Sequence, residues 1–507
     1  MDELTLDREP DALEALGAAP TPSLTAGYDT IGSALRASAV TADIVEGGSK
    51  VTVNVTVCEG VVEMSESLKI SQSLSVDYLG LVSVDQKLDF VRNQKATNES
   101  VSIVVYARHE LGSQTARDPK LKPDLPGDPA KFARERGDSY IDSIERGGEY
   151  YAVYTFYTQT TEEQKSLVAS LKAKGIFSKV TVNGSLETAI DNFTKTTKTN
   201  WRYDQEISGI RNPSPPPREQ LIDYALKFPS IELDAPTVIG FTTAGYENVP
   251  GFSLDFQRIV ANRRYFVGST IDDGLTRSLL KIVSLQNKVA WLKGIYGCYG
   301  FTGDPELDAF GTLLEADRRT IRTQFEAYED APLSEFKHPA LPSLDKGMPL
   351  LSFTKGTSPM FGSNGGNPFD YGMPIEDALA NQRRLNWLQL RGNKYVDQIG
   401  LRYVDVHGEG PIQRFGQDGG SLQNALSFES NEFVKRVDSR TGDLVDRLRI
   451  ETTRGAVTEV GRNGGDPHNW EVPQGTVVLG IQGRANKYLN AIQIVWAKLE
   501  PATFRKS

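Results

Sequence analysis

Four histidines, two cysteines and a thrice-repeated Gly-Gly turn are the residues of this chain whose type or spacing could carry chemistry. His109, His338, His407 and His468 are scattered, with no H-E-x-x-H pair to hold a metal on one helix face. Cys58 and Cys298 have no metal-ligand spacing and are too few for a disulfide scaffold, so two buried thiols are expected. No G-x-S-x-G elbow or Walker-type loop occurs, and GEGPIQRFG lacks a strand-to-helix context. Nothing in these patterns asks for catalysis, and a non-enzymatic protein without metal or cofactor is expected.

The repeat remains. FGSNGGN begins at Phe361, FGQDGGS at Phe415 and VGRNGGD at Val460. After each comes a second signature: NKYVDQIGL from Asn393, GDLVDRLRI from Gly442 and NKYLNAIQI from Asn486. Three rounds of a Gly-Gly turn and a short strand pair predict three small antiparallel sheets about a pseudo-threefold axis, a β-prism. These residues, with the closing stretch GIQGRANKYLNAIQIVWAKLEP, resemble the jacalin-related lectins over about residues 355 to 500. In such lectins a sugar sits between a Gly-Gly loop and a G-x-x-x-D loop, held by backbone N–H groups and one carboxylate. The resemblance therefore implies carbohydrate binding at Gly442, Asp443, Val445 and Asp446, facing the turn that holds Gly465. The round from Asn393 keeps Asp397 but has Asn393 at the glycine position, and the round from Asn486 has Asn490 in place of the acid. One working sugar site is expected rather than three. Gly-Gly turns and a buried Asp also serve to build a prism, and fold alone does not license function.

The elements that must carry these loops lie in a chain of 507 residues, long enough for two or more domains. Its net charge of -10 argues against nucleic acid and against a polybasic membrane anchor. The start, MDELTLDREPDALEALG, lacks the basic and apolar regions of a secretory signal, and no apolar run is long enough to span a bilayer as a helix. A protein made soluble is expected. DGLTRSLLKIVSLQNKVAWLKGIYG and DPELDAFGTLLEADRRTIRTQFEAYE have helical periodicity, and FKHPALPSLDKGMPLLS, residues 336 to 352, reads as a linker. The expected architecture is α+β over residues 1–345, followed by an all-β three-sheet prism over residues 346–507.

Within the first part, Tyr140 to Gln159 has strand composition, yet Gly147 and Gly148 sit side by side in its middle. Such a pair marks a bend or a close approach. From Ser67 to Phe90 apolar and polar residues alternate over more than the usual strand length. Thr160 and Glu163 form a capping-box pattern, and the stretch from there to about residue 200 can be written as helices or as an amphipathic hairpin. Either stretch could supply transmembrane strands of about 9 to 11 residues.

This arrangement resembles the membrane attack complex/perforin (MACPF) family over most of residues 25 to 345. Gly137, Tyr140, a six-residue gap and Gly147-Gly148 match its signature, while Arg136, Asp138 and Ser139 depart from it. The resemblance implies a bent antiparallel sheet flanked by helical clusters, with the Gly pair at the bend. Regions of about 66–100 and 160–200 would unfurl into membrane hairpins as monomers close into a ring on a target-cell membrane. Similar two-domain architectures occur among bacterial insecticidal MACPF proteins, which implies a released cytolytic toxin that binds a glycan or glycosylated receptor. Sequons at Asn98, Asn183 and Asn192 would place glycans across a bilayer, which fits a maker that does not N-glycosylate. A non-lytic MACPF-fold protein that binds membranes or glycans is the alternative.

Overall fold

A computed structural model describes residues 21–69, 86–97, 99–158, 160–174, 176, 184–197, 199–268, 274–301 and 303–506. Its N-terminal part is built on one sheet. β1 (Gly27–Asp29) and β2 (Ala34–Arg36) form a short hairpin, and β3 (Val40–Glu46) and β4 (Lys50–Glu59) follow end to end. β5 (Val101–Leu121) and β6 (Ser139–Tyr157) are the long central pair, with β7 (Asn200–Ser208) and β8 (Thr237–Gly245) beyond them. All the pairings are antiparallel.

The sheet changes composition at the Gly pair. β4 runs beside Val101–Glu110 of β5, and β3 beside Gln114–Leu121. On the other edge β7 runs beside Glu149–Tyr157 of β6, and β8 beside Ser139–Gly147. Both edges thus exchange strands at Gly147-Gly148, and a register shift between Glu110 and Gly112 lies opposite. A Cβ on Gly147 would stand 2.0 Å from the His109 carbonyl oxygen, and one on Gly148 2.8 Å from that of Ser208. Neighbouring backbones approach there more closely than a side chain permits.

Each face of β5 and β6 buries a different helical cluster, because over Ile103–Ala107 and Tyr150–Tyr154 both alternating sets of side chains are apolar or aromatic. Val104, Tyr106, Tyr151 and Val153 pack against Met64, Leu68, Phe90 and Val91, from and beside α1 (Gly60–Ser67) and α2 (Gln86–Asn93). Ile103, Val105, Tyr150, Ala152 and Phe156 face the opposite way. They meet Leu167, Leu171, Leu186, Ile190 and Phe193 of a second cluster. Between the two clusters in sequence comes α3 (Pro129–Arg136), and the second cluster itself is α4 (Thr161–Ala173) and α5 (Gly184–Thr196). Full burial of each large apolar side chain stabilises this packing by about 1.5–3 kcal/mol.

The stretch from Ser67 to Phe90, whose residues alternate like a strand, is helical at both ends, in keeping with the helical clusters expected beside the sheet. Val61, Met64 and Leu68 share one side at helical spacing, and Gln86–Phe90 opens α2; residues 70–85 lie outside the described residues. The ambiguous stretch after Thr160 resolves as helix. The Thr160 hydroxyl accepts from the Glu163 N–H at 3.1 Å, as the capping pattern requires, while Val180 and Val182 lie outside the described residues. Among the described residues no helix is long and apolar enough to cross a membrane, a statement that leaves strands untouched.

After α6 (Leu221–Lys227) and α7 (Gln257–Val267) come the two long helices foreseen from periodicity, α8 (Leu275–Cys298) and α9 (Pro305–Asp330). Asp304 caps α9 by accepting from the Leu307 N–H at 3.0 Å, with Pro305 in the first turn. Its second oxygen accepts from the Ala502 N–H at 2.6 Å, tying the helix to the end of the chain.

Residues 336–352 are not a loose linker. Phe336, Leu341, Leu344, Met348 and Leu351 pack into a core that α8 and α9 share with Val477, Leu479, Ala497 and Leu499. Met348–Thr357 is a strand paired along Val495–Arg505. The C-terminal region is all-β apart from short helices at Pro342–Lys346 and Ile375–Ala380, and forms three antiparallel sheets around their own core of Leu388, Ile399, Val437, Leu448, Ile481 and Ile492. Of the two cysteines, Cys58 is buried and burial pushes its thiol up to about 12; Cys298 is half-buried rather than enclosed.

Candidate functional site

At one end of the three-sheet region each sheet presents a Gly-Gly turn beside a hairpin loop. In the sheet of Val434–Thr441 and Val445–Thr452, the connecting loop is Gly442–Leu444, and the Gly464-Gly465 turn joins the outer strands. Gly465 has φ +61°, the left-handed region that favours glycine. A Cβ on Gly464 would lie 2.6 Å from Oδ1 of Asp446, and one on Gly465 2.7 Å from Oδ2. The turn is thus seated on the Asp446 carboxylate, as the sequence motif implies.

The arrangement repeats with changed chemistry. Gly419 sits on Asp397 and Gly420 against the Gly392–Asn393 main chain, while Gly365 and Gly366 both sit on Asn490. In each sheet the main-chain carbonyl of that residue accepts from the Gly-Gly turn: Arg462 N to Asp446 at 2.9 Å, Gln417 N to Asp397 at 3.1 Å, Ser363 N to Asn490 at 3.0 Å. Each turn therefore pairs with a hairpin loop of its own sheet. The sheet of the FGSNGGN turn is closed by the last hairpin of the chain, so sequence order and site order differ by one step.

The two carboxylates are in unlike settings. Asp446 is half-exposed, whereas Asp397 is 7% exposed and burial raises its carboxyl above the usual range, opposed by the Asn393 N–H and by Arg391 and Lys487. Asp397 belongs to a different sheet from Asp446. The Val445 side chain is wholly buried in the prism core, so only its main chain lies at the loop. Gly442 and Asp443 are exposed on the loop, and the Asp443 carbonyl accepts from the Ser363 hydroxyl at 2.7 Å, linking adjacent stations. A Cβ on Gly442 would meet Asp446 Oδ2 at 3.8 Å, an ordinary contact, so the backbone does not demand glycine there; its absence leaves that side of the carboxylate uncovered.

Sequence reasoning missed the arginines that hold the turns. Arg440 donates to the Gly464 and Gly465 carbonyls at 3.0 and 2.8 Å, and Arg484 to those of Gly365 and Gly366 at 3.0 and 2.8 Å. Arg391 donates to Gly419 at 2.9 Å. The signal was present, since an arginine stands two residues before Asn393, Gly442 and Asn486 alike.

The signature residues of the N-terminal sheet are gathered elsewhere. Gly137 ends α3 at φ +82°, where a Cβ would strike the Tyr28 carbonyl, and Tyr140 is buried beside Tyr246. Between them Asp138 is fully buried. It accepts from the Thr30 N–H at 2.9 Å, the Thr30 hydroxyl at 2.8 Å and Arg263 Nε at 3.0 Å. Asp29 nearby has its carboxyl raised to about 6 by burial and by Asp138. Next to the Gly pair, Glu149 is buried and bound by Lys87 of α2 at 2.6 Å and by the Tyr106 hydroxyl. Glu99, ahead of β5, meets Lys288 of α8 at 2.9 Å; burial pushes the carboxyl up and the ammonium down, each partly offset by the other. Among the described residues no cluster of His, Cys, Asp or Glu could hold a metal ion.

Comparison with known proteins addresses the prism. Residues 358–495 match the jacalin-like lectin domain family. Horcolin of Hordeum vulgare subsp. vulgare is 26% identical over 141 residues, which is 26% of this chain and 90% of that protein. Among solved structures, the wild-type Malaysian banana lectin is 22% identical, with a TM-score of 0.25, covering 29% of this chain and 99% of its own. A mannose-binding jacalin-related lectin of Ananas comosus is 18% identical, TM-score 0.25, at the same coverage. The chain thus carries a C-terminal jacalin-like lectin domain.

Proposed function

We propose that the chain binds carbohydrate through the loop end of its C-terminal domain and so holds its N-terminal sheet against a glycan-bearing cell surface. The observation that carries this reading is the Gly464-Gly465 turn seated on the half-exposed Asp446 carboxylate. A carboxylate beside exposed main chain accepts from sugar hydroxyls in charge-assisted hydrogen bonds while N–H groups donate to their oxygens. Asp446 is the acceptor, Gly442, Asp443 and Gly465 frame it, and Asp397 is a second, more enclosed station. The protein acts by binding, with no catalytic residue and no cofactor. A glycan array probed with the full chain and with Asp446→Asn tests this: loss of the bound glycans in the variant is expected, and an unchanged pattern would remove Asp446 from the site.

A second reading, that the protein perforates the membrane it binds, is favoured by one observation. Each helical cluster interrupts the passage between two adjacent antiparallel strands, α1 and α2 between β4 and β5, α4 and α5 between β6 and β7. Helices so placed can extend those strands as hairpins, and the MACPF resemblance supports this use of them. Lipid cannot satisfy the open edge of a lone hairpin, so insertion would be coupled to closure of a homo-oligomeric ring from monomers released in solution. A disulfide pinning α4 to β5 should block dye release from liposomes of target-cell lipid and leave binding intact. Release that persists without reductant excludes this role for α4.

A further inference from the structure

A second binding site lies away from the lectin loops, where the second helical cluster meets the prism. A cleft of roughly 610 Å³ opens there between the end of α5, β7 and the turn around His407. Lys195, Arg202, Arg218 and His407 line it together with Trp201 and Tyr203. Among the described residues no carboxylate lines it, in a chain whose net charge is -10.

The cations are each paired with an acid that does not line the cleft. Asp191 meets both Lys195 Nζ at 2.5 Å and Arg218 Nη2 at 3.3 Å, Glu219 meets Arg218 at 3.2 Å, and Asp204 holds Arg202. These contacts fix the orientation of the cationic groups and use part of their donor capacity, since each guanidinium carries five N–H donors and each ammonium three. The Arg218 guanidinium also lies over the Trp201 ring, 5.6 Å from its centroid, and the His407 ring stands 6.1 Å from the same indole. An anion in the cleft would find converging donors beside a flat aromatic wall.

We propose that this cleft binds a phosphate-bearing ligand, its anion held by Arg218 and Lys195 and its body against Trp201, bridging the second helical cluster to the prism. Guanidinium donors match phosphate oxygens in pairs, and Lys195 adds a compact charge. The phosphate can belong to a lipid headgroup or to a free phosphate ester, and the site chemistry is common to both. Its occupant would touch α5, β7 and the prism at once, so binding would tighten the contact between them.

The test uses the full chain in two arms: calorimetric titration with inorganic phosphate, and co-sedimentation with phosphatidylcholine vesicles with or without phosphatidic acid. Wild-type protein is expected to bind phosphate and to sediment only with the phosphatidic acid vesicles. Arg218→Gln should weaken both roughly tenfold or more, the loss of a charge-assisted contact. His407→Ala, a change at an exposed turn, should weaken both less, and unchanged melting temperatures show that the variants fold. Phosphate binding without vesicle capture, still lost in Arg218→Gln, supports the site and assigns it to soluble phosphate esters. Binding in neither arm, or binding equal in wild type and both variants, overturns the proposal.

Discussion

The prism loops and the N-terminal sheet use the same charged residue types in opposite ways. At the loops, the Asp446 carboxylate is half-exposed, backed by glycine main chain and a clamping arginine, with its open side toward solvent. In the sheet, Glu149, Asp138 and Glu99 are buried and satisfied from within the chain by Lys87, Arg263 and Lys288. A charge whose partners come from its own chain holds parts together; one left half-satisfied at a surface is available to another molecule. Removing each kind of charge should therefore have different costs.

The largest expected effect is on the inner kind. Lys288→Met leaves Glu99 buried without its cation and should lower stability by about 3–5 kcal/mol, read by chemical denaturation. The double variant with Glu99→Leu should recover much of that loss, and a double variant no better than the single would show that packing rather than charge sets the cost. Gly148→Ala comes next: a Cβ pressed on the Ser208 carbonyl and Leu233 should cost about 2–3 kcal/mol, within the range for overpacking.

Asp29 sharpens the comparison through pH. Its carboxyl titrates at about 6 in the folded chain against an ordinary 3.8, so the folded state holds the proton more tightly than the unfolded one. Its contribution to stability is fullest below about pH 4, declines as pH rises toward 6, and stays low above. Asp29→Asn should gain about 1–3 kcal/mol at pH 7 and lose that advantage by pH 4. A constant difference between the two proteins across that window would contradict the assignment.

The smallest stability effect belongs to the loops. Asp446→Ala should change stability by less than about 1 kcal/mol while removing glycan binding. Asp397→Ala, at 7% exposure, should divide the other way, costing more in melting temperature than in glycan retention. Equal losses of binding in the two variants would erase the distinction between an open and an enclosed station.

How far the sequence disclosed these features follows from how local they are. The prism was legible because a turn, a carboxylate and a short hairpin recur within each round, and the Gly pair because two adjacent glycines in a strand demand a local reason. The first helical cluster is not legible from periodicity alone. Met64 and Leu68 satisfy a helical spacing, but the run from Leu68 onward also fits a period of two, and periodicity alone does not choose between them. The buried ion pairs lay beyond any local reading: Lys288 and Glu99 are 189 residues apart, Arg263 and Asp138 125. The cleft at Trp201 gathers residues from β7, α5 and the turn around His407, which only the tertiary fold brings together.

The core shared by α8, α9 and the prism reaches further than packing. The Tyr299 hydroxyl, just past the end of α8, lies between the carbonyls of Ala378 and Arg383 at 3.2 and 2.7 Å with its proton shared between them, and Tyr296 of α8 donates to that of Glu500 at 2.9 Å, so the prism is docked by side chains at the end of this long helix. Such a joint works as a bracket rather than a tether. A surface gripped at the loop end would set the height and tilt of the sheet above it, and every copy bound to the same surface would stand at the same level.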